Sequence, residues 1–138
     1  MHMKSSTPYS FEVTLMLPLL QAREKVVEAL KQEKFGLISE IDIAAKLKEK
    51  LNVDHAPHVI LGACNPQIAH QALIDNPDVA LALPCNVVLR EVDGTTVVSA
   101  LLPSIALHPF EGLKVQESSC TAQDSLSRVF DSLSKNIS

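Results

Sequence analysis

The chain has 138 residues, 46% hydrophobic and 20% charged, which fits one globular domain large enough to bury a core without disulfide or metal staples. Twelve basic residues against sixteen acidic ones give a net charge of −4, and no Lys/Arg cluster offsets it, so no nucleic-acid footprint is expected. With no Trp, one Tyr and 4% aromatic residues, base-stacking surfaces and aromatic sugar platforms are excluded too.

Residues 1–8 are polar and expected to be a flexible N-terminus. From Tyr9 the pattern alternates, with Phe11, Val13, Leu15 and Leu17 on one face and Glu12 and Thr14 on the other, which predicts a half-buried strand closed by Pro18. Leu19, Ala22, Val26, Ala29 and Leu30 then recur at three and four residues, an amphipathic helix ending near Lys34, with Phe35-Gly36 as the turn. Gly36–Ile43 reads as a second strand and Ala44–Leu51 as a short helix with Ile43, Leu47 and Leu51 in register.

After a loop over 52–57, Val59-Ile60-Leu61 predicts a central strand running into Gly62-Ala63-Cys64. Asn65 suits the N-cap of the next helix and Pro66 its first turn; Pro77 stops that helix at Asn76. Val79–Leu83 is expected to be a fourth strand. Asn86–Val92 and Thr95–Leu102 form a hairpin through Asp93-Gly94, the strongest turn signal in the chain. Residues 104–120 lose periodicity. Thr121 with Asp124 resembles a capping box, ahead of a final helix carrying Leu126, Val129, Phe130 and Leu133. The predicted fold class is α+β: two β-α-β repeats forming a mostly antiparallel sheet with helices packed on one face, plus a β-hairpin and a C-terminal helix. Residues 9–138 would be a single domain.

Two stretches carry the candidate chemistry, Leu61-Gly62-Ala63-Cys64-Asn65-Pro66 and Leu83-Pro84-Cys85-Asn86-Val87. Each sets a Cys-Asn pair beside a proline at the edge of an apolar run. If their strands are neighbours, both thiols reach one rim of the sheet beside a helix N-terminus, which welcomes an anion and favours a thiolate. The pair could then form a reversible disulfide or hold a soft metal ion, with His58 a further candidate ligand. Both could equally be buried small apolar residues. Asn65 and Asn86 are either ligand-binding amides or caps. Asp42 is either an acid-base group, paired with Glu40 on one strand face, or the cap of the following helix. His70 is expected to face water, and Cys120 to be a bystander.

Phe35-Gly36-Leu37-Ile38-Ser39-Glu40-Ile41-Asp42-Ile43, Leu61-Gly62-Ala63-Cys64-Asn65-Pro66 and Leu83-Pro84-Cys85-Asn86-Val87-Val88-Leu89 resemble the three signature blocks of the domain of unknown function 302 family. The resemblance covers roughly residues 9–103 and implies a small dimeric α+β domain with no agreed activity; 104–138 would be a variable tail and helix.

No Ser-His-Asp set, phosphate loop or H-E-x-x-H motif is present, so no catalytic residue and no cofactor is assigned, and an enzyme is not the favoured reading. Three cysteines make no disulfide framework and point to a reducing, cytoplasmic setting; no signal peptide, membrane span or membrane partner is expected. The expectation is a homodimeric binding module with a small-ligand or anion site at Cys64, Asn65, Pro66, Pro84, Cys85 and Asn86, joined by Asp42. The alternatives are a thiol redox or soft-metal protein using Cys64 and Cys85, and a purely structural or interaction module.

Overall fold

The computed structural model describes residues 5–135; residues 1–4 of the expected flexible N-terminus and 136–138 of the tail lie outside them. Strand β1 (Ser5–Ser6) is two residues long and pairs with β2 (Ser10–Leu15). In β2 the alternation works as the sequence predicts: Phe11, Val13 and Leu15 enter the core and Glu12 and Thr14 stay half-buried. Helix α1 (Leu19–Gln32) buries the predicted stripe of Leu19, Ala22, Val26, Ala29 and Leu30. Pro18 has no side chain to cap it, and the Glu91 carboxylate takes that role by accepting from the Leu19 N–H at 2.8 Å. The helix closes through Lys34, at φ 66°, with the Phe35 N–H donating to the Leu30 carbonyl at 3.0 Å. The turn is therefore made one residue before Phe35-Gly36, and Gly36 already belongs to the next strand.

Strand β3 (Gly36–Asp42), helix α2 (Ile43–Leu51) and strand β4 (His58–Cys64) follow, with a bulge between Leu37 and Ser39 in β3. Helix α3 (Pro66–Asp75) starts where Asn65 and Pro66 predict. The strand expected over Val79–Leu83 does not form; Pro77–Ala82 is a 3-10 helix. Pro77 lacks a ladder donor, and the Asn76 side chain accepts from the Asp78 N–H at 3.0 Å, which winds the chain into a turn instead. The second β-α-β unit is completed by β5 (Cys85–Val92), paired with β6 (Thr95–Leu101) through Asp93 and Gly94, both at positive φ as a two-residue hairpin of the I′ type needs.

A short helix, α4 (Pro103–Ala106), leads to α5, which runs over Leu113–Lys135 and so begins well before the predicted capping box. Thr121 lies inside it and donates to the Glu117 carbonyl at 3.0 Å. The cap comes from elsewhere: the Asp75 carboxylate at the end of α3 accepts from the N–H groups of Lys114 and Val115 at 2.9 and 3.1 Å. Gly112, at φ 137°, lets that carboxylate approach, because a Cβ there would lie 2.8 Å from the Asp75 Cγ.

The sheet is antiparallel throughout, in the order β1-β2-β6-β5-β4-β3, and the fold class is α+β. The main core joins β2, β4, β5 and β6 to α1 and the second half of α5, with Phe11 and Phe130 in contact at a centroid separation of 5.8 Å. A second, smaller core holds Ala72, Val79, Leu107 and Val115 between α3, the 3-10 helix and the first half of α5. Among the described residues no helix is long and apolar enough to cross a membrane.

Candidate functional site

Between the two cores lies a cavity of about 340 Å³. Its floor is the end of β4 and the start of β5, where Ala63 stands opposite Cys85 and Gly62 opposite Asn86. Five of the predicted residues, Cys64, Asn65, Pro84, Cys85 and Asn86, line it, and Pro66 opens the helix alongside. The pairing of β4 with β5 is what brings two stretches twenty residues apart to one place.

The local chemistry is that of a neutral, apolar niche. Cys64, Cys85 and Cys120 are all free, the first two half-buried and the third exposed. Burial raises the Cys64 thiol above its ordinary value, and burial, with Cys64 nearby, pushes Cys85 up to about 11. Both are therefore thiols, not thiolates, at neutral pH, which runs against the activation expected from the helix N-terminus. The Asn65 side chain caps α3, accepting from the Ile68 N–H at 3.3 Å. Among the described residues no charged side chain lines the cavity.

Two contacts explain why Gly62 stands where it does. A Cβ on Gly62 would strike the Ser39 hydroxyl and lie 2.8 Å from the Pro84 ring, so one residue from each stretch converges on that point. The Leu83-Pro84 peptide is cis.

Asp42 and His58 are not part of this site. Asp42 pairs with Val59, and His58 opens β4, whereas Cys64 ends it; five or six residues of strand put them about 17–20 Å away. Asp42 caps α2, accepting from the Ala45 N–H at 2.9 Å. His58 stacks on His55 with centroids 5.4 Å apart, and burial, then the neighbouring His55 and Arg90, hold its pKa below the ordinary value. Glu40 shares a face with Asp42 as expected, but the Arg23 guanidinium binds it, Nε donating at 2.8 Å, and keeps its pKa low. Among the described residues no three His, Cys, Asp or Glu side chains are grouped to hold a metal ion. His70 is exposed.

The remaining walls come from the segment that shows no periodicity in sequence. Pro103, Ala106 and Leu107 close one side, and Ser118 and Ala122 of α5 face α3 across the cavity. A signal was available: Val115, Ser118, Ser119, Ala122, Ser125 and Leu126 recur at three- and four-residue steps and are all buried, but half of them are serines, which read as loop.

Comparison with known proteins gives a consistent answer. No curated protein is similar enough to match. A crystal structure of an uncharacterized conserved protein DUF302 from Bacillus stearothermophilus superimposes with a TM-score of 0.82 at 29% identity, covering 91% of this chain and 98% of that one. The family model described as domain of unknown function DUF302 matches residues 11–133, from β2 through most of α5, and the chain belongs to that family.

Proposed function

We propose that this protein is a non-enzymatic binding module whose cavity at the two Cys-Asn stretches takes a small, uncharged, mainly apolar molecule. The observation that carries the reading is the cavity itself: about 340 Å³, at the small end of the roughly 300–1,000 Å³ usual for ligand sites, apolar over most of its wall, with the Cys and Asn side chains and the Ser118 hydroxyl as its few polar groups. An anion is the poorer fit, since no basic side chain among the described residues lines the wall and Asn65 already occupies an N–H of the adjacent helix start. A thiol-exchange role has less support than ligand binding, because both thiols hold their protons.

The module works as a homodimer in the reducing cytoplasm. Support for the dimer is the sheet face turned away from α1 and α5, where Ile41, Ile60 and Val88 stand side by side in register, Ile41 47% exposed.

Binding of the neutral fluorophore N-phenyl-1-naphthylamine, followed by titration, tests the cavity. One site per chain is expected, lost in Ala69→Phe and in Ala122→Leu, with thermal melts of both variants staying cooperative because the added atoms enter existing space. A wild-type protein that takes up no probe, or folded variants that bind it unchanged, would end this reading.

A further inference from the structure

We infer that Cys64 and Cys85 form a two-thiolate site for a soft, thiophilic cation that accepts two ligands, Cu(I) being the biological example. The inference rests on the reading of the cavity as a ligand site and adds a second kind of occupant at its Cys end. Three observations carry it. The strand register sets Cys85 opposite Ala63, the residue before Cys64, so the two cysteines stand where β4 ends and β5 begins. Both line the same cavity, both are free, and the charge of one is felt at the other. Among the described residues no His, Asp, Glu or Met lines that cavity to supply a third ligand.

That donor set discriminates between metals. Structural zinc takes four ligands, and calcium or magnesium takes six or more oxygens, so neither is served by two sulfurs in an apolar wall. Thiolate donors select soft ions, and a monovalent one can be satisfied by two of them. Binding releases two protons, one from each thiol, to solvent, and involves no change of oxidation state. The resulting centre carries a single negative charge spread over both sulfurs. It lies one residue before the Asn65 cap of α3, at the positive end of a ten-residue helix, which offsets that charge. Cys120 is exposed on α5 and does not line the cavity, which makes it an internal control.

The test is an anaerobic competition in which the protein, kept reduced, withdraws copper from the coloured Cu(I)–bicinchoninate complex. Wild type is expected to take one equivalent, Cys64→Ser and Cys85→Ser to lose at least a hundredfold in affinity each, and Cys120→Ser to match wild type. Both serine variants of the pair are expected to keep binding N-phenyl-1-naphthylamine, which shows that the cavity is intact when copper is lost. Affinity should also rise with pH, because protons compete for both sulfurs. Copper uptake that survives in either serine variant of the pair, or that disappears in Cys120→Ser, overturns the assignment. Copper binding as described in a protein that ignores the neutral probe would remove the small-molecule reading and leave the metal site standing.

Discussion

The two halves of α5 pack in opposite ways. Its second half presents Leu126, Val129, Phe130 and Leu133 to the sheet and to α1, and these large side chains join the main core, where Phe130 meets Phe11. Its first half presents Ser118 and Ala122 to the space that α3 and the ends of β4 and β5 also border, and there the cavity appears. One helix thus joins a core at one end and walls a cavity at the other, and smaller side chains at the cavity end are part of the difference. Interiors are packed tightly enough that a run of serines and alanines where leucines would otherwise stand has to be compensated by closer approach or left as space. Here α3 approaches closely enough for Ser118 to reach Gln71 at 3.4 Å, and the strand ends, which turn away at Asn65 and Pro84, account for the space.

This contrast can be broken most severely at Phe130. Phe130→Ala should lower stability by about 3–5 kcal/mol in chemical denaturation, since it removes a fully buried ring from the tight half. A loss close to 1 kcal/mol would mean that the two halves are packed alike.

A smaller effect, specific to the cavity end, should appear at high pH. The native Cys85 thiol keeps its proton up to about 11, while the unfolded chain releases it near the ordinary 9.0. Between those values the unfolded state binds fewer protons, so stability falls as pH rises from 9 towards 11, by on the order of 2 kcal/mol. Comparing denaturation of wild type and Cys85→Ala across that window isolates the contribution; parallel curves would place the thiol in water.

The smallest change tests how the loose half is started. Asp75→Ala removes the only side-chain cap seen on the first turn of α5 among the described residues and should cost about 1 kcal/mol. Amide hydrogen exchange should quicken in residues 113–118 and stay unchanged near Phe130. Uniform exchange along α5 would show that its two halves open as one unit.

Local chemistry explains which of these features can be read from the chain. The alternation around Phe11, the stripe from Leu19 to Leu30, the Asn65-Pro66 start and the Asp93-Gly94 hairpin each depend on residues within one turn or one strand of each other, and each forms as predicted. The failures depend on distant partners. Val79–Leu83 has the composition of a strand but no neighbouring strand to pair with, and Pro77 and Pro84 at its borders remove ladder donors, so it winds into a 3-10 turn. The first turns of α5 contain helix-poor serines and are held by Asp75, nearly forty residues away. Asp42 and Glu40 look alike as candidate acids in sequence; one caps α2 and the other binds Arg23, partners that only the packing reveals.

By itself, then, the sequence determined most of the element types, the hairpin, the family and the two stretches from which a site is built, because propensity, periodicity and turn chemistry act over short range. Only the tertiary structure decided that Cys64 and Cys85 share a wall, that Asp42 and His58 lie at the far end of β4, and that α5 supplies the opposite side of the cavity. Strand register and helix docking set those distances, and both arise from the summed packing of residues far apart in the chain.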